Sequence, residues 1–293
     1  MAANTRDIRR RIKSVKNTSQ ITKAMQMVAA AKMRKAQQIA IAGRSYAELL
    51  AQVLKSVAGG VEEGVHPLLT ARDVKRELVL VISTDKGLCG ALNTNLFREV
   101  SKFDPAKTVF VAAGRKATQF LTRTGRELVA EFPLRDSPSF LETKAAAKFC
   151  MEKFTSGEVD KVTVVFTDFV NTLTQIPKAR TILPITSLEV VAGIGGEQEG
   201  AIAKSEDTTE YLFEPDITSV LTAVLPHHVY FQVYQMVLDA RASEHSARMV
   251  AMKSATDNAK QLIKDLTLEY NKVRQAAITT ELLEITTAQM ALG

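Results

Sequence analysis

Near the start of the chain, apolar residues fall at Ile8, Ile12 and Val15 and again at Ile21, Met25 and Val28. These spacings of four and three mark one seam along an amphipathic helix. Residues 4–58 contain no proline and only Gly43, and Ala, Gln, Lys, Arg, Met and Leu dominate. That composition predicts one helix over most of the stretch, ending near Gly59 and Gly60. The clearest period lies at the other end, where Met252, Thr256, Ala259, Ile263, Leu266, Tyr270, Val273 and Ala277 alternate by four and three. After Pro226 there is no further proline and no glycine until Gly293, so a second long helix is expected, with Asp216 after Pro215 as its N-cap. Helices in globular proteins average about 11 to 12 residues, so two of this length set the chain apart.

Between them the pattern shifts to short apolar runs. Residues 77–83, 108–113, 127–132 and 161–167 read as buried strands, separated by helical stretches at 92–103, 115–122 and 140–154. This alternation specifies an α/β unit with a parallel sheet under covering helices. A further strand is expected at 179–185, and the Gly- and Glu-containing residues 193–207 read as an exposed loop. The expected organisation is a helix over 1–58, an inserted α/β domain over 75–208 and a helix over 209–293. Short links make the two long helices antiparallel, and a rise of about 1.5 Å per residue brings Thr5 level with Leu268 or Asn271. The remainder, 275–293, overhangs. Its only charges are Glu281 and Glu284, among Ile278, Leu282, Leu283, Ile285, Met290 and Leu292, and so apolar a helix calls for an enclosing partner.

Charge sharpens this picture. The net charge is +6. The basic residues concentrate at the start, where Arg6, Arg9, Arg10, Arg11, Lys13, Lys16, Lys23, Lys32, Arg34 and Lys35 face a single acid, Asp7. Like charges three or four residues apart repel, which points to an acidic partner; nucleic acid and anionic lipid are the other surfaces such a segment can meet. No Phe, Tyr or Trp precedes Tyr46 to stack on bases. No apolar run is long enough to cross a bilayer.

The search for chemistry is largely negative. The turn after the first strand, TDKGLCGALN at 84–93, sits where a dinucleotide-binding fold carries its glycines, but it lacks G-x-G-x-x-G. Neither that turn nor Ala113-Gly114-Arg115-Lys116 carries the phosphate-cradling G-x-x-x-x-G-K-[ST] pattern. His66, His227, His228 and His245 form no i, i+3 or i+4 ligand pair, and Cys89 and Cys150 form no metal or disulfide spacing. No catalytic residue, metal or cofactor is expected. On residues alone three readings stand: a moving or docking part of a larger machine, a nucleotide-dependent α/β enzyme with helical arms, and a coiled-coil nucleic-acid-binding protein.

Three segments bear on that choice: IRRRIKSVKNTSQITKAMQMVAAAKMRKAQ at 8–37, EHSARMVAMKSATDNAKQLIKDLTLEYNKVRQAAITTELLEI at 244–285, and STDKGLCGALN at 83–93. Together they resemble the gamma-subunit family of F-type ATP synthases from end to end, least closely over 131–207. The resemblance implies a long antiparallel coiled coil with a Rossmann-like, mostly parallel sheet domain inserted between its helices. It implies a central-stalk rotor, one copy per complex, that couples rotation of an ion-driven c-ring to cycling of catalytic beta subunits in an alpha/beta hexamer. The epsilon subunit and the c-ring would be further partners. By motif position, Lys23, Met25, Lys32, Arg34 and Lys35 would lie near the acidic loop of the beta subunits. Arg274, Gln275, Thr279 and Glu281 would form a polar catch near the tip. The dithiol insertion of chloroplast members has no counterpart, so redox switching of that kind is not expected. The expected location is the cytoplasmic face of a bacterial inner membrane, as a peripheral subunit, or an organelle in mature form.

Overall fold

The computed structural model describes residues 5–58, 66–185 and 217–292. The expected loop at 193–207, the Asp216 cap and the Gly59-Gly60 stop lie outside them. The element order is α1(Thr5–Ala58), β1(Glu77–Ile82), α2(Leu92–Val100), β2(Thr108–Ala113), α3(Arg115–Arg123), β3(Leu128–Phe132), α4(Phe140–Thr155), β4(Lys161–Phe169), β5(Gln175–Leu183) and α5(Ile217–Leu292). The chain divides into two compact units, one of Met1–Ala29 with Met249–Gly293 and the other of Ala30–Arg248.

In the first unit the start of α1 lies antiparallel to the end of α5. Thr22 Oγ1 is 2.7 Å from Thr256 Oγ1, and the Arg9 guanidinium lies 5.9 Å from the centre of the Tyr270 ring. Thr5, one turn beyond Arg9, therefore comes level with about Arg274, a turn further along α5 than the sequence estimate. The α5 seam follows its heptads: Met252, Thr256 and Ala259 are buried and Ile263, Leu266, Tyr270 and Val273 half-buried, while Ala277 is exposed. The α1 seam departs from expectation after Val15. Ile21 and Val28 are 60% and 54% exposed, Met25 is half-buried as expected, and the other inward positions are Ser19, Thr22, Gln26 and Ala29. The four-three alternation from Ile8 simply continues, putting small and polar residues at the interface and two apolar residues beside it.

The second unit is a five-stranded sheet in the order β3-β2-β1-β4-β5, parallel except for β5. The central strands β1, β2 and β4 are buried on both faces, whereas β3, expected to be buried, lies at the sheet edge and alternates half-buried and exposed residues, as β5 does over most of its length. Leu78, Leu80, Val109, Val111, Val162 and Val164 share a core with α4 and with Leu225, Val229 and Val233 of α5. Val79, Val81, Phe110, Ala112 and Val165 pack on the other side with Leu96, Ala117 and Leu121 of α2 and α3. β5 runs antiparallel because Asn171–Gln175 is too short for a crossover: Asn171 Oδ1 accepts the Leu173 and Thr174 amides at 2.9 and 2.8 Å and closes a hairpin. Gly114, at φ 109°, brings β2 against β1; a Cβ there would lie 2.4 Å from the Ser83 carbonyl oxygen.

Candidate functional site

The order of the strands places a topological switch between β1 and β4, since the chain leaves β1 towards β2 and returns on the far side at β4. In open α/β sheets the crevice beyond the carboxyl ends of such strands is where ligands bind. Here α5 fills it. Arg241, its side chain 2% exposed, donates to Glu244 Oε2 at 2.6 Å and to the Leu134 carbonyl at 2.8 Å, and its Nη2 lies 3.5 Å from Asp85 Oδ2. Asp85 in turn accepts the Arg115 amide at 3.0 Å, so a carboxylate of the chain occupies the amino end of α3. Arg248 donates to Glu244 Oε1 at 2.8 Å and to the Lys86 and Gly87 carbonyls at 3.3 Å.

What remains is a cavity of about 10 Å³ between Ser83, Thr84, Asn93, Thr167, Arg241 and Glu244. It has room for one water and none for a nucleotide. Gly90 in the 84–93 turn serves conformation, with φ 61°, and Leu88 two residues before it takes φ 63° while 62% exposed. Asn93 Nδ2 ties the turn together by donating to Thr84 Oγ1 at 2.8 Å and to Cys89 Sγ at 3.5 Å. Burial pushes the Cys89 thiol up, against the opposing pull of Arg248, and the fully enclosed Cys150 to about 12. Neither is a thiolate nucleophile at neutral pH. His228, buried on α5, is pushed down to about 4, first by burial and then by Arg180 and His227. It stays neutral and accepts from Gln232 at 2.9 Å. Among the described residues no group of three His, Cys, Asp or Glu could hold a metal ion.

The sequence-derived contact residues lie in separate places. Lys23 is exposed and Met25 half-buried in the first unit; Lys32, Arg34 and Lys35 are exposed in the second. Lys32 already has an intramolecular partner, Asp136, at 2.5 Å, and that ammonium holds the Asp136 carboxyl below its ordinary range. Arg274, Gln275, Thr279 and Glu281 are exposed on the last part of α5, where Thr279 donates to the Gln275 carbonyl at 2.9 Å. Sequence reasoning missed Arg241 and Glu244, although ionic residues at 241, 244 and 248 interrupt an otherwise small and apolar helix face.

From the level of Arg274 onward α5 extends past the start of α1, and its apolar side chains stay open. Ile278, Leu282, Leu283, Ile285 and Met290 are 45%, 58%, 61%, 59% and 85% exposed.

The family described as ATP synthase matches residues 4–292. The ATP synthase gamma chain of Opitutus terrae is 52% identical over 297 residues, covering 99% of each chain. A chain in the central stalk and c-ring structure of the Tetrahymena thermophila mitochondrial ATP synthase is similar at 26% identity and a TM-score of 0.62, over 80% of this chain and 99% of that one. A chain of the Euglena gracilis mitochondrial enzyme shares the fold at 22% identity and a TM-score of 0.68, over 98% of this chain and 94% of that one. With the match running essentially from end to end, this chain belongs to the family of ATP synthase gamma chains.

Proposed function

We propose that this gamma subunit of the F-type ATP synthase, part of the central stalk, works as a non-catalytic rotor inside an alpha/beta hexamer. The observation that carries the reading is the last part of α5, where consecutive turns expose Ile278, Leu282, Leu283 and Ile285 with no covering element among the described residues. A contiguous exposed apolar surface of that kind marks a site that a partner covers. A collar of apolar side chains suits it, because apolar contact is non-directional and offers few specific bonds to resist turning.

An asymmetric helix pair presents a different face to each of three beta subunits. Each beta subunit is thereby biased towards a different conformation and nucleotide affinity, and turning the pair exchanges those biases. On this reading residues 1–58 and 209–293 form the shaft, and residues 75–208 form the domain that meets the epsilon subunit and the c-ring. One copy serves each complex, and the catalytic sites reside on beta. Among the described residues no helix is long and apolar enough to cross a membrane. Association with the cytoplasmic face of a bacterial inner membrane would then pass through those partners.

Lys23, Met25, Arg34 and Lys35 are assigned to the acidic loop of beta, and Arg274, Gln275, Thr279 and Glu281 to a polar catch. Lys32 joins the first group only by leaving Asp136. Exposed ion pairs contribute about 0 to 1 kcal/mol each, so Lys23→Ala alone is expected to leave coupling intact. The direct test is to assemble alpha and beta subunits with and without this chain and compare ATP turnover. Turnover that rises with the chain present supports the rotor; equal turnover in the two preparations refutes it.

A further inference from the structure

Helix α5 meets the sheet through two chemically different stretches. In the first, Leu221, Leu225, Val229, Val233 and Val237 lie in the apolar core. Over the following two turns the contacts become polar and directed. Arg241 reaches Asp85 and the Leu134 carbonyl, Ser243 Oγ donates to the Thr167 carbonyl at 3.1 Å, Ser246 Oγ donates to the Thr172 carbonyl at 2.8 Å, and Arg248 reaches the Lys86 and Gly87 carbonyls. The loops after β1 and β3, together with the end of β4 and its hairpin, are each bonded to this one short stretch.

The two stretches resist displacement differently. Apolar packing is non-directional, whereas a hydrogen bond weakens steeply when its donor moves or tilts. Sliding α5 by one residue, about 1.5 Å, would break the whole set together. Stability alone does not explain the choice of residues, because a buried ion set gains little over apolar side chains of similar volume, and its best-attested use is to fix one arrangement among several.

We propose that Arg241, held by Glu244, is the positioning residue that fixes the axial and rotary setting of α5 on the sheet, so that torque delivered to the sheet domain enters the helix without slip. The inference rests on the rotor reading. It turns the ligand crevice of the doubly wound fold into a mechanical joint.

The test uses membrane vesicles holding the complete ATP synthase with this chain. It measures ATP hydrolysis alongside the membrane potential that hydrolysis builds, read with a potential-sensitive dye that reports any pumped cation. In Arg241→Met with Glu244→Gln, the pair is neutralised at similar volume. The chain is expected to melt no lower than the parent and hydrolysis to continue, while potential per ATP hydrolysed falls by at least about twofold as slipped settings become populated. Arg241→Lys keeps the charge but cannot reach three acceptors at once, and is expected to fall between the parent and the double variant. Potential per ATP equal to the parent's in either variant overturns the proposal. So does a loss that follows the melting temperature in both. If the unaltered complex builds no potential from ATP, the rotor reading itself has failed, which is a separate outcome.

Discussion

Thr256 tests whether the first unit is held by its apolar seam or by the hydrogen bond between Thr22 and Thr256 across its helices. The side chain is 3% exposed, its hydroxyl lies 2.8 Å from the Met252 carbonyl, and Thr22 Oγ1 is 2.7 Å away. Thr22 has a second acceptor, the Ser19 carbonyl, at 3.1 Å. Two hydroxyl protons thus serve three contacts. Thr256→Val removes one hydroxyl and orphans nothing, because Thr22 can turn its proton to Ser19. The lost bond costs about 1 kcal/mol and the added buried methyl returns about 0.8 kcal/mol, while the two residues have similar helix propensity. The expected net change is within about 1 kcal/mol, a shift of at most about 4 °C in melting temperature. Urea unfolding of the isolated chain, followed by circular dichroism, measures it, with Thr22→Val and the double variant completing a cycle. A loss above about 2 kcal/mol for Thr256→Val would refute the reasoning, since the polar pair and not the seam would then hold the helices together.

Three further outcomes follow from the geometry. His228 is neutral in the fold with its pKa lowered from 6.5 to about 4, so the unfolded chain binds the extra proton first; stability is full above about pH 6.5 and falls by about 3 kcal/mol as pH drops through 4. His228→Asn should flatten that part of a stability-against-pH curve, and an unchanged slope contradicts the assignment. Gly114→Ala places a Cβ against the Ser83 carbonyl at φ 109° and is expected to cost about 2 kcal/mol or more in thermal unfolding, whereas a neutral result means β1 and β2 are less close. In the isolated chain Leu283→Ser, at 61% exposure, should cost less than about 1 kcal/mol, while Leu54→Ala, fully buried, should cost about 2 to 5 kcal/mol; equal costs would mean the tip is packed.

The sequence was most legible where one period ran without interruption. The Met252 to Val273 heptads lie inward as expected, and β1, β2 and β4 declared themselves as continuous apolar runs because both their faces are covered, while β3, read as buried, is a half-exposed edge strand. It was least legible where the interface is made of small or polar residues. Ser19, Thr22 and Ala29 carry no hydrophobic signal, so Ile21 and Val28 drew the seam to the wrong face. The filled crevice was hidden for another reason: Arg241 and Asp85 are 156 positions apart, and no local pattern says that the two meet. β5 came out antiparallel through a hairpin set by Asn171, a turn residue that the run of apolar positions does not weigh. The basic residues near the start of α1 were legible as a charge excess, but the pairing of Lys32 with Asp136 depends on contacts that only the fold creates.

Labelling of a single cysteine at the tip tests the central claim most directly. Met290, 85% exposed, is replaced by cysteine in a chain whose own Cys89 and Cys150 are buried, and its rate of reaction with a polar maleimide is measured alone and after assembly with alpha and beta subunits. Rapid labelling of the free chain and strong protection in the assembly is the predicted result. Equal labelling in both states would contradict the account, because the apolar end of α5 would then remain in water when the machine is complete.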